Sequence, residues 1–143
     1  MMLIIRPEQL EIFKPVADAQ FAERVAAYLR RKQADTVVRL ANGATLVSRL
    51  SDETLMKMVR LGIERARLYD FTWESSITSF ILLMFKVAPN FDRHPLIARA
   101  LKDARFAPDE RIEKIWERVT ARNWEAARED YDASAWQLKP EER

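Results

Sequence analysis

The sequence contains no cysteine, two glycines and one histidine among its 143 residues. Without cysteine there is no disulfide framework, no thiol nucleophile and no thiolate to hold zinc or an iron–sulfur cluster. The single histidine, His94, excludes a histidine-pair metal site within one chain. Two glycines do not supply a phosphate-binding loop of the usual kind. Long apolar runs are missing as well. The N-terminal run Met1 to Ile5 stops at Arg6, short of the ~7–15 apolar residues of a signal peptide and without its positive start. The run Phe80 to Phe85 is far below the ~20 residues of a membrane span. These absences lead us to expect a cytoplasmic protein, or one exported with a secretion apparatus without a cleavable signal. They also lead us to expect no metal, no cofactor and no membrane contact.

An excess of one charge is equally lacking. Lys and Arg number 24 against 22 Asp and Glu, for a net +2. The segments 1–50, 51–100 and 101–143 carry +3, +1 and −2. That mild gradient differs from a nucleic-acid footprint, which concentrates Lys and Arg on one face, so no nucleic-acid partner is expected. The one basic run, Arg30-Arg31-Lys32, suits the negative end of a helix.

What is present is material for a core. Hydrophobic residues make up 48% of the chain, and this length buries roughly 70% of its unfolded surface in one domain. Leu10, Phe13, Ala17, Phe21, Val25 and Tyr28 recur at helical spacing after Pro7, which suits a first helical position. Pro15 interrupts this stripe without shifting its register, predicting a kinked helix or two collinear ones. Thr36 to Leu40 and Thr45 to Ser48 flank Asn42-Gly43, the preferred pair for a type I′ hairpin turn. Leu3-Ile4-Ile5 is a candidate third strand.

Ser51 suits an N-cap, followed by Asp52 and Glu53 at the positive helix end. Leu55, Val59, Gly62, Ala66 and Tyr69 form the next stripe, with Lys57, Arg60, Glu64 and Arg67 on the solvated side. Gly62 costs about 1 kcal/mol against Ala in mid-helix, which predicts close approach of a neighbouring helix. Thr72 is read as the cap of a helix from Trp73 that is apolar nearly all round and therefore central. Pro95 opens another helix with His94 at its N-cap, and Leu96, Ile97, Ala100, Leu101 and Ala104 are read as facing inward. Pro108 opens the next, with Ile112, Ile115, Trp116 and Val119 as its buried face. Asn123 is read as capping a short helix with Trp124, Ala127 and Tyr131. The fold expected is mainly α, a compact single-domain bundle of five to seven helices with a small β-hairpin insertion near 36–48. The domain covers 1–133 and a frayed tail 134–143, which Trp136 and Leu138 can anchor back.

Asn90, Asp92 and His94 in one connector raise a metal or catalytic reading. One carboxylate and one imidazole without a partner motif do not make a zinc site, and turn bonds with a helix cap account for them more simply. Ser75, Ser76 and Ser79 have no surrounding Gly-x-Ser-x-Gly turn, and only His94 is available as a base. The carboxylates fall mostly on solvent faces and helix starts, with no spacing that favours a glycosidase-like pair. Trp73, Trp116, Trp124 and Trp136 are candidates for stacking. Trp116 reads as core packing, and Trp124 and Trp136 suit either tail docking or a partner. No catalytic residue is assigned. Asn90, Phe91, Asp92, Arg93 and His94 are the candidate partner-binding residues, because polar side chains between two rigid helices are where recognition tends to sit.

Three motifs carry a resemblance. They are Leu55 followed after six residues by Gly62-Ile63-Glu64-Arg65-Ala66-Arg67-x-Tyr69, then Thr72-Trp73-Glu74-Ser75-Ser76-Ile77-Thr78, and the run Leu83 to Pro95. From about Arg6 to Trp124 the chain resembles a family of small bacterial proteins often encoded beside the spike and PAAR-type tip proteins of type VI secretion systems. The resemblance implies a helper role in effector handling, as adaptor, chaperone or immunity protein, without implying functional residues. The expected function is a non-catalytic module binding a secreted effector or spike component. The alternatives are a small effector enzyme acting through carboxylates and an immunity protein for a neighbouring toxin.

Overall fold

The computed structural model describes residues 7–139, with side chains from Asp18 onward. The candidate strand Leu3-Ile4-Ile5 lies outside the described residues. The first element, α1 (Pro7–Lys32), continues through Pro15 as one helix rather than two. Phe21, Ala22, Val25 and Leu29 are its buried side chains. Arg30, near its C-terminal end, donates to the carbonyls of Val47, Ser48 and Leu50 and pairs with Asp52. One guanidinium thus ties the end of the helix to the chain leaving the hairpin.

That hairpin is β1 (Val37–Leu40) antiparallel to β2 (Gly43–Leu46), with Val38 opposite Thr45 and Leu40 opposite Gly43. The turn is not the expected type I′ at Asn42-Gly43. Its central pair is Ala41-Asn42, neither at positive φ, and Gly43 alone adopts φ 130°. Pairing begins at Gly43, which places it at the fourth turn position, where glycine is also favoured. A hairpin of this size needs a covered face. Val38 and Leu40 supply it, buried in the core, while Val37 and Arg39 point outward.

Helix α2 (Asp52–Arg67) starts at Ser51, whose hydroxyl accepts from the Thr54 N–H as the sequence indicates. It packs against α3 (Glu74–Lys86), the central helix, in which Ile77, Phe80, Ile81, Leu83, Met84 and Phe85 are buried. Gly62 faces this contact. A Cβ there would stand 2.6 Å from Ile81 Cγ1 and 3.2 Å from Met84 Sδ, so the close approach expected of that glycine is present.

The start of α3 differs from the expectation. Its N-cap is Trp73, and Thr72 does not cap it with its side chain. The cap comes from another helix, α5 (Pro108–Arg118). Buried Asp109 accepts from the Trp73 N–H at 2.9 Å and the Thr72 N–H at 3.1 Å, and also from the Thr72 hydroxyl. A carboxylate at a helix N-terminus satisfies orphan donors and meets the positive end of the dipole.

Helix α4 (Pro95–Leu101) buries Ile97, Ala100 and Leu101. Leu96 and Ala104, expected inside, are exposed. Leu96 sits a third of a turn away from Ile97, and Ala104 falls beyond the helix end. In α5, Ile112 and Ile115 are buried and so is Val119 just after it, but Trp116 is 60% exposed. At 100° per residue Trp116 lies roughly 65° from the centre of that stripe, on its margin. Helix α6 (Ala121–Glu129) is capped by Thr120, whose hydroxyl accepts from Asn123, rather than by Asn123 itself.

The tail is not frayed over the described residues 134–139. A 3-10 turn, Ala133–Trp136, seats Trp136 in the core at 2% exposure, its ring 5.0 Å from that of Phe85. Trp136 Nε1 and the Arg39 backbone N–H both donate to the Tyr131 hydroxyl at 2.9 Å. This tail thereby covers an outward donor of β1 and pins the hairpin to the bundle. Among the described residues the result is a mainly helical single domain of six α-helices and one two-stranded hairpin. No helix among them is long and apolar enough to cross a membrane.

Candidate functional site

Two places on the surface are candidates for a functional site. One is the connector between α3 and α4, where the sequence puts its candidate residues. The other is a cleft formed by α3, α5 and α6.

In the connector, Phe91 to Arg93 form a 3-10 turn, and most of the side chains turn toward their own fold. Phe91 is fully buried, its ring 4.9 Å from that of Phe80. Asn90 is also buried. Its Nδ2 donates to the Asp130 carbonyl and its Oδ1 accepts from the Asp132 N–H, both at 2.9 Å. Asn90 therefore holds the C-terminal segment in the way a backbone strand would, one donor and one acceptor on the same amide.

Asp92 pairs with Arg65 and accepts from the Tyr69 hydroxyl at 2.7 Å. The Arg65 guanidinium also donates to the Pro89 carbonyl and lies over the Phe80 ring. Burial pushes the Tyr69 phenol well above its ordinary value, and the bond to the Asp92 carboxylate adds to the shift. His94 caps α4, with Nδ1 accepting from the Leu96 N–H at 3.3 Å. Arg93 alone of the five is exposed, and it reaches Asp132 at 3.2 Å. The structure thus brings the five residues together as an anchor between α2, α3, α4 and the tail. Every one of them has an intrachain contact.

The cleft shares no lining residue with the connector and has a volume of about 610 Å³. Leu83 and Val87 at the end of α3 line it together with Trp116 and Trp124. The two indoles pack with ring centroids 5.4 Å apart, so each holds the other in place. Trp124 is half-buried by this contact and Trp116 keeps an open face. Lys86, Glu125 and Arg128 add charged groups to the lining. The Arg128 Nε donates to the Lys86 carbonyl at 3.4 Å, which ties α6 to the C-terminal end of α3.

Chemically, this arrangement offers a rigid aromatic wall, an aliphatic floor and three charges. It holds no histidine and no nucleophilic cysteine, and its one lining carboxylate is Glu125. Among the described residues no group of three His, Asp or Glu is placed to hold a metal ion. Elsewhere, the Arg105 guanidinium, with Arg118 beside it, holds the Asp103 carboxyl well below the usual aspartate range.

Sequence reasoning took Trp116 for core, because Ile112, Ile115 and Val119 share its side of the helix. The available signal was its marginal position on that stripe, with Trp124 eight residues on in the next helix. Compared with protein-family models, curated proteins and solved structures, the chain finds no match in any of the three.

Proposed function

We propose that this protein is a non-catalytic protein-binding module, an adaptor or chaperone-type accessory that handles a secreted effector or spike component. The observation that carries the reading is Trp116. A large aromatic ring 60% exposed, packed on a second tryptophan and lining an open cleft, supports a partner-binding reading. Tryptophan is among the residues in which interface energy concentrates, at ~2 kcal/mol or more on truncation. Three helices of a packed core hold the lining, so little ordering cost falls on binding. The type VI secretion context comes from the resemblance of the Leu55–Tyr69, Thr72–Thr78 and Leu83–Pro95 motifs, and with it a cytoplasmic place of action before export.

The test uses the purified protein against the purified products of its flanking genes. The expected result is capture of a spike or effector protein that weakens at least tenfold in Trp116→Ala, with an unchanged melting temperature. Undiminished capture by that variant overturns the reading. So does poisoning of cells that express the chain without a protective partner, which an effector enzyme predicts and an adaptor does not.

A further inference from the structure

The cleft carries more information than its aromatic wall. Two cations, Lys86 and Arg128, line it, and a third, Arg39, is tied to the backbone of Arg128. The Arg39 guanidinium donates to the Arg128 carbonyl at 3.4 Å, and the Arg128 guanidinium donates to the Lys86 carbonyl. Arg39 is further fixed over the Tyr131 ring at 4.3 Å. None of the three makes an ion pair among the described residues, although most other arginines around the core do, as Arg24, Arg30, Arg65, Arg67, Arg93, Arg105 and Arg118 show.

Clustering like charges costs folding free energy, and an interface charge repays that cost when an opposite charge arrives. The C-terminal end of α3 offsets part of it, since cations suit that end of the dipole. The carbonyl bonds hold the Arg39 and Arg128 guanidiniums in place but neutralise neither. On a chain whose net charge is only +2, Lys86 and Arg128 are a local positive pair beside an apolar aromatic surface.

We propose that the cleft binds an acidic peptide segment of a partner protein, with an apolar side chain seated on Trp116 and Asp or Glu residues facing Lys86 and Arg128. This rests on the protein-binding reading above and adds the chemistry of what is bound. Nucleic acid fits less well. Glu125 lines the same cleft and opposes a phosphate backbone, and the two indoles pack on each other and leave no slot between them for a base. Two lining cations also make a small footprint for a polyanion.

The experiment selects peptides from a random twelve-residue library on the immobilised full-length chain. Selected peptides are then measured by fluorescence anisotropy against the native protein, Trp116→Ala and the double variant Lys86→Gln/Arg128→Gln, each with a melting curve. The expected peptides carry an excess of Asp and Glu around one apolar residue. They bind at least tenfold more weakly to both variants, and their affinity falls as salt is raised. Peptides that lose binding in Trp116→Ala but show no acidic excess and no effect of the double variant overturn this inference and leave the protein-binding reading standing. Peptides indifferent to Trp116→Ala, or a library that yields none, overturn both. A single-stranded oligonucleotide of random sequence runs in parallel. If it binds tighter than any selected peptide and is released by the same double variant, the occupant is nucleic acid and the inference fails.

Discussion

Replacing Gly62 by alanine sets two effects of similar size against each other. In an isolated helix the change stabilises by about 1 kcal/mol, because alanine loses less backbone freedom on folding. Here the new methyl stands 2.6 Å from Ile81 Cγ1 and 3.2 Å from Met84 Sδ. Carbon atoms pack best at about 3.5–4.0 Å, so the contact with Ile81 must open by nearly 1 Å. Ile81 and Met84 are both 0% exposed, and neither has free space to move into. Overpacking of that kind costs about 1–3 kcal/mol, which exceeds the propensity gain. Gly62→Ala should therefore destabilise by about 1 kcal/mol, a fall of roughly 3–5 °C for a chain of this length. Urea unfolding followed by tryptophan fluorescence measures it, with a lower midpoint and an unchanged slope. The second half of the test places the same change in an Ile81→Ala background, where the obstructing atom is gone. There Gly62→Ala should be neutral or stabilising, giving a coupling of about 1–3 kcal/mol between the sites. A stabilising Gly62→Ala in the native background refutes the close α2–α3 approach.

Trp136→Ala should cost about 3–5 kcal/mol, the usual price of emptying a large aromatic site, and should open residues 130–139 to protease. A melting temperature within 1–2 °C of the native protein, ~0.5 kcal/mol at most, would show that the tail does not seal the core. Asp103 predicts an acid effect. Its folded value is lowered, so its contribution is present in full above the unfolded value of 3.8 and is lost as pH falls below it. Asp103→Asn should flatten that part of the acid-unfolding curve, and an unaltered acid limb counts against the Arg105–Asp103–Arg118 cluster.

Local signals were readable where the physics is local. Ser51, His94, Pro95 and Pro108 mark helix starts because caps and fixed φ angles act over one turn. Gly62 announced a neighbour because glycine in mid-helix has a cost that close packing offsets. The central place of α3 followed from its being apolar nearly all round. What was not legible depends on partners far apart in sequence. Asp109 caps a helix that starts 35 residues earlier in the chain, and no spacing rule pairs them. Trp136 looked like part of a loose tail because its partners, Phe85 and Tyr131, are set by the fold. The same holds for Asn90, whose amide reaches Asp130 and Asp132. Polar residues that looked available in the connector are largely engaged. Trp116, which looked engaged, meets only part of its surface with the Trp124 ring on that margin of α5 and stays 60% exposed.

The most direct test of the central claim is a titration of the nitrogen-labelled protein with a captured partner, observed by NMR. The claim is that the partner seats on the α3–α5–α6 cleft. It predicts that the indole N–H signals of Trp116 and Trp124 shift together with the backbone signals of Lys86 and Arg128, while those of Arg93 and His94 stay in place. Shifts confined to residues 90–95, with both indoles unmoved, would contradict it and return the binding site to the connector.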